Sequence, residues 1–179
     1  MRDGLAALSR ILAVVNRAAL WISGVGLILM TAFVAWQVFG RYVLNQSPSW
    51  TEPASLLLMS WFILLGSAVG VREGNHLGFE IGLHHAPSGL RQVMLAVTEV
   101  LVMIFGGAMA WYGTMLAMET WSAAMPGLPI PQGLDYVPLA VGGALIALFS
   151  FEKLVRLLLA GEEAPMVRPG EPHLVAVKE

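Results

Sequence analysis

The sequence predicts an all-α integral membrane protein: four transmembrane helices, an amphipathic N-terminal helix ahead of them, and both termini in the cytoplasm. Three observations predict it. The 179 residues are 57% hydrophobic and only 12% charged, whereas a soluble domain carries about 25% charged residues. Four apolar stretches are each long enough to span a bilayer, at about 20 residues per crossing. Lysine and arginine are distributed with a strong bias between the connecting loops. The length leaves no space for a separate soluble domain. Residues 1–160 form one four-helix membrane domain, and the Pro- and Glu-containing stretch 161–179 reads as a disordered cytoplasmic tail.

Taken in order, residues 1–17 are amphipathic. Leu5, Leu8, Leu12 and Val15 form a stripe, with Arg10 and Arg17 off it. This segment is read as an interfacial lead-in, with a docking helix for a partner as the sharper alternative. It does not have the form of a cleavable signal. Residues 18–40 are the first span, with Trp21 and Trp36 near its ends as an aromatic belt requires. Pro53 to Val71 runs without a charge and stops at Arg72-Glu73-Gly74, so it is the second span. Ser49 suits an N-cap, and Glu52 stands three residues on, the spacing of a capping box. Pro53 falls in the first turn, where its missing N–H costs little. Trp50 sits at headgroup depth. Gly66 and Gly70 are spaced to let another helix approach closely.

Residues 75–91 are mixed and irregular. Their two-residue alternation from Leu77 to Leu83 places them at the membrane surface, because an open strand edge cannot lie in hydrocarbon. Residues 92–118 are the third span, uncharged except for Glu99, with Gly106, Gly107 and Ala110 as a smooth patch. Pro126, Gly127, Pro129 and Pro131 mark a tight loop. Residues 136–158 are the fourth span, with Gly143 and Ala147 again at small-residue spacing and Glu152, Lys153 and Arg156 at its exit. Nine of the ten basic residues fall in the termini and the loop between spans two and three, and only Arg41 falls elsewhere. The positive-inside rule then puts both termini and that loop in the cytoplasm.

One stretch carries a resemblance. Arg41-Tyr42, Ser49-Trp50-Thr51-Glu52, Trp61, Gly66 and Arg72-Glu73-Gly74 followed by His76 stand in the order and spacing typical of one family. In these features the chain resembles the small membrane subunit of tripartite ATP-independent periplasmic (TRAP) transporters. Two departures are visible. Pro53 replaces a second glutamate, and Leu77-Gly78-Phe79-Glu80 replaces a more usual Ile-x-Val-Asp. The resemblance implies a subunit that scaffolds a large elevator-type membrane subunit in the bacterial inner membrane. That partner imports an organic acid with sodium, and a periplasmic binding protein delivers the acid in transient contact. Sodium and solute sites would belong to the partner.

The residues themselves exclude several chemistries. There is no cysteine, so disulfides and thiolate chemistry are excluded. No basic patch interleaved with aromatics suggests nucleic acid. No hydrolase motif appears, so no enzyme activity is expected. All four histidines fall outside the spans, which argues against haem. His76, Glu80 and His84 share a helical face, with His85 beside them, yet Gly78 and Gly82 oppose a helix there; no metal and no cofactor are expected. Glu99 is the one ionisable residue well inside a span. An intramembrane carboxylate marks function by default, so proton coupling is weighed against a buried contact, with Arg72 or Arg91 as its neighbour. The alternative overall reading is a self-contained proton-coupled carrier using Glu99. Against it, the spans lack the paired interruptions of a carrier. The partners expected are therefore the large subunit, the binding protein and membrane lipids. Arg41, Ser49, Trp50, Glu52, Trp61, Gly66, Gly70, Arg72, His76 and Glu99 are the candidate structural or interface residues.

Overall fold

The computed structural model describes residues 2–46, 48–73 and 88–160. Four helices make up most of these residues: α1 (Arg2–Tyr42), α2 (Thr51–Glu73), α3 (Ser88–Glu119) and α4 (Val137–Ala160). A 3-10 turn, Gln132–Asp135, leads into α4. All four helices are long and apolar enough to cross a membrane. Of the expected surface segment 75–91, residues 75–87 lie outside the described residues and residues 88–91 instead form the first turn of α3; the expected tail 161–179 lies outside the described residues.

The amphipathic lead-in and the first span are one helix of 41 residues rather than two. From Leu5 to Ser23 there is no proline and no glycine, so nothing interrupts the hydrogen-bond ladder at Arg17. At 1.5 Å per residue α1 is about 60 Å long, against about 30 Å of hydrocarbon. It therefore overhangs its neighbour. Arg72, in the last turn of α2, reaches the carbonyls of Ser9 and Leu12, which leaves the first turns of α1 projecting beyond the end of α2.

The helices pack as two antiparallel hairpins, α1 with α2 and α3 with α4, joined where α2 lies alongside α4. In space the order is α1–α2–α4–α3. The row does not close into a ring, because α1 and α3 share no seam. Phe149 and Ala68 are fully buried at the central seam, with Leu12 and Ile146 beside them. A second cluster, Ala19, Leu65 and Val69, is covered by Trp61 and Leu145.

Glycines set the closest approach, and they are on α3 and α4. A methyl group on Gly106 would stand 2.8 Å from the Gly143 carbonyl oxygen, and one on Gly143 would stand 2.6 Å from the Ala110 nitrogen. Gly107, expected in the same patch, has nothing within 4 Å. The expected close approach at Gly66 and Gly70 is not made within this chain. Gly66 has only the Ser23 hydroxyl at 3.9 Å, and Gly70 has open space.

The connections are tied back to the helices. Gln46 N–H donates to the Gly40 carbonyl, and Asn45 takes the left-handed conformation at φ 50 that asparagine tolerates. Residues 123–132 double back on themselves through Met125 N–H to Ile130 O and Gln132 N–H to Ala123 O. This loop lies over the start of α2. Gly127, at φ +85, sits against the Ser49 carbonyl, where a side chain would clash at 2.5 Å.

The seam yields a direct comparison. Gly143→Val should lower the thermal unfolding midpoint of the purified protein, because overpacking costs about 1–3 kcal/mol. Gly107→Val should leave it unchanged. Equal effects of the two would contradict this packing.

Candidate functional site

The polar chemistry of the molecule is concentrated at one end, where α1 overhangs and α2 and α4 finish. Arg72 is its first hub. Its Nη1 donates to Leu12 O at 2.8 Å and its Nη2 to Ser9 O at 3.2 Å. Its Nε lies 3.6 Å from Glu152 Oε2, and its guanidinium carbon is 5.4 Å from the centre of the Phe149 ring. One side chain thus joins α2 to α1 and to α4. Stacking on an aromatic face adds a cation–π attraction to these bonds.

Lys153 is the second hub. Its ammonium donates to Val71 O, in the last turn of α2. It also lies 3.7 Å from Glu99 Oε1 on α3. The last carbonyls of a helix have no partner within the helix, so Lys153 acts as a cap supplied by a neighbouring helix. Glu152 completes the cluster, accepting from Arg156 Nη2 at 2.6 Å one turn along α4. Neighbouring positions on a helix point about 100° apart. Glu152 can therefore turn to Arg72 while Lys153 turns to Val71 and Glu99.

Glu99 and Glu152 are buried, at 8% and 5% exposure. An unpaired charge at such depth would be strongly unfavourable, and each carboxylate has a cation. Glu99 is thus a structural contact in this arrangement. Its ion-pair partner is Lys153; of the two expected neighbours, Arg72 and Arg91, Arg72 is committed to Glu152. Ser150 is fully buried, and among the described residues neither its hydroxyl nor Glu99 Oε2 has a hydrogen-bond partner.

Trp50 meets Phe33 edge-on, with ring centres 5.5 Å apart, and so ties the end of α1 to the start of α2. Trp61 packs over the second core cluster. Arg41 is exposed in the last turn of α1. Among the described residues no ion pair joins Arg41 to Glu52 and no hydrogen bond joins Ser49 to Glu52, so the expected capping box is absent. The reason is register. Ala54 N–H donates to Trp50 O, which makes Trp50 the N-cap and puts Pro53, not Glu52, at the third helical position. Thr51 and Ser55, both buried, stand out instead: Thr51 Oγ1 donates to Pro48 O and Ser55 Oγ to Thr51 O. His76 lies outside the described residues.

At the opposite end, an open groove of about 460 Å³ is lined by Thr114, Ala117, Met118, Trp121, Val137 and Ala140. Its lining is apolar, and the Thr114 hydroxyl is already bonded to Ala110 O. It offers nothing that would hold a charged solute.

These features define a polytopic α-helical membrane subunit whose charged groups brace its own helices. Comparison with known proteins gives the family. Residues 30–160 match the model of the DctQ component of tripartite ATP-independent periplasmic transporters, and the chain belongs to that family. It is similar to the sialic acid TRAP transporter small permease protein SiaQ of Vibrio cholerae, 24% identical over 72% of this chain and 75% of the relative. It is similar to the C4-dicarboxylate TRAP transporter small permease protein DctQ of the same species, 22% identical over 83% of this chain and 75% of that protein. A TRAP transporter small permease protein assigned in Haemophilus influenzae is 26% identical over 72% of this chain and 80% of its own length. The chain is therefore a transport protein of the inner membrane and not an enzyme.

The Lys153–Glu99 pair makes a testable brace. Removing one partner of a buried pair costs about 3–5 kcal/mol, so Glu99→Gln and Lys153→Met should each lower the unfolding midpoint markedly. The double variant should lose less than the sum of the two, with a coupling of about 1–3 kcal/mol. Simple additivity would show that the two groups do not act on each other.

Proposed function

We propose that this chain is the small permease subunit that scaffolds a large elevator-type membrane subunit during sodium-coupled uptake of an organic acid. A periplasmic binding protein delivers that acid. One observation carries the reading. In the brace, the buried carboxylates Glu99 and Glu152 and the cations Arg72 and Lys153 are held by one another or by backbone carbonyls, so none is presented to a solute. The relatives point the same way, since their names assign them to transporters of sialic acid and of C4-dicarboxylates as small permease proteins. An anionic solute of that kind needs cations in a midplane site. Here the half-buried Arg72 and Lys153 join helices instead.

The rival reading, a self-contained carrier cycling a proton on Glu99, is disfavoured by the same pair. Glu99 is taken up in a contact between α3 and α4, its Oε1 3.7 Å from the Lys153 ammonium. The two readings separate in liposomes. With the binding protein supplied, vesicles holding this chain and its large subunit should take up the acid on a sodium gradient. Vesicles holding this chain alone should take up none, and uptake by the chain alone at the rate of the complex would refute the proposal. Glu99→Gln should retain transport once the complex is assembled.

The reading also assigns orientation. Both ends of the described chain lie at the same end of the row, and the basic residues mark that end as cytoplasmic. Cysteines introduced at the exposed positions Ser49 and Glu73 should react differently with an impermeant thiol reagent in cells with a permeabilised outer membrane. Labelling is expected at Ser49→Cys and not at Glu73→Cys, and the reverse pattern would invert the topology.

A further inference from the structure

The cations of the brace are not equally engaged. Arg72 spends Nη1 and Nη2 on two carbonyls, its Nε on Glu152 and its face on Phe149. Lys153 spends its ammonium on Val71 O and Glu99. Arg156 differs. Its side chain is 48% exposed, and its one bond runs from Nη2 to Glu152 Oε1. Among the described residues its Nε and Nη1 donors have no partner. The carboxylate that Arg156 touches is itself shared with Arg72. Among the described residues, the three cations Arg72, Lys153 and Arg156 meet the two carboxylates Glu99 and Glu152, and Arg156 is the most exposed of the three.

Arg156 stands four residues before the end of α4, about 6 Å along its axis. Phe151 and Leu158, on the same stretch of helix, are 48% and 71% exposed, as side chains facing acyl chains would be. A guanidinium with open donors at the rim of an apolar belt lies at the depth of phosphate groups. Its planar fork suits two oxygens of a phosphate.

We infer that Arg156 binds the phosphate of an anionic phospholipid, which completes the charge balance of the brace from outside the chain. The lipid then bears on the same carboxylate that orients Arg72, so the end of α4 and the overhanging α1 are tied to the leaflet as well as to each other. The inference requires only that the chain is a membrane protein and does not rest on the transport reading.

The test uses the full chain purified in neutral detergent, with lipid retention read by native mass spectrometry. Phosphatidylglycerol and phosphatidylcholine with identical acyl chains are offered together. The wild type should retain phosphatidylglycerol over phosphatidylcholine by about fivefold, the discrimination that one basic side chain gains at an anionic surface. Arg156→Gln should bring the ratio to parity, and Arg41→Gln, at the far end, should leave it unchanged. Should Arg156→Gln fail to fold, Arg156→Lys decides: it keeps a charge beside Glu152 but lacks the fork, so its ratio should fall. A preference that survives both Arg156 variants, or no preference in the wild type, overturns the inference. Displacement of phosphatidylglycerol by millimolar inorganic phosphate would also overturn it, by showing a site for the free anion.

Discussion

The Lys153 ammonium, held between the last-turn carbonyl of Val71 and the carboxylate of Glu99, is the contact on which the rest of the structure depends. In a bilayer two apolar helices gain little by leaving lipid for each other, because lipid tails are as apolar as leucine. Helix order must then be specified by close packing and by polar groups that have no good alternative partner. Lys153 has none in the hydrocarbon, and it sits on α4, the helix that touches both hairpins. Its two contacts bring the end of α2 and the side of α3 to the same place. Arg72 does the same for α1 and α4. With these two cations in place, the order α1–α2–α4–α3 follows.

The three seams of the row are held by different physics. Between α3 and α4 the backbones approach through Gly106, Gly113 and Gly143, so dispersion over a long contact dominates. Between α1 and α2 the contact is made by side chains, from Phe33 against Trp50 at one end to Gly26 against Phe62 in the middle. The central seam has the least shape of its own. Gly142 lies against Leu64 and Phe149 against Ala68, and its ends are closed by the ion pairs on one side and the 123–132 loop on the other. A seam pinned at both ends resists twisting, and two hairpins so joined behave as one body.

The four spans were legible because an uncharged hydrophobic run of bilayer length seldom does anything but cross a bilayer. Glu99 was legible for the complementary reason, a charge where charges are unfavourable. Its partner was not. Glu152, Lys153 and Arg156 look like the charged boundary that ends a span, and nothing along the chain says that Lys153 turns inward. That depends on which helix lies beside α4, a property of the fold and not of the local pattern. The small-residue spacings fail in the same way. Gly66–Gly70 and Gly143–Ala147 read alike in sequence, but only the second meets a backbone. At the start of α2 the Ser49–Glu52 spacing was correct for a capping box, yet the helix begins one residue later, behind Trp50. The aromatic contact with Phe33 and the loop seated on Ser49 both hold that register, and neither is visible locally.

An open row exposes what a closed bundle would hide. Four helices in a ring would bury one face of each, whereas here the outer helices α1 and α3 leave most of their large apolar side chains exposed, among them Trp21, Ile28, Trp111 and Met118. Such a surface is stable only against lipid or against another membrane-embedded helix. The same row keeps the buried carboxylates Glu99 and Glu152 at one end, each beside a cation. What remains is an open row with apolar outer faces, its charge gathered at one end and its central seam closed at both. A row of that kind can add area and rigidity to whatever it joins, as the scaffolding role proposed above requires.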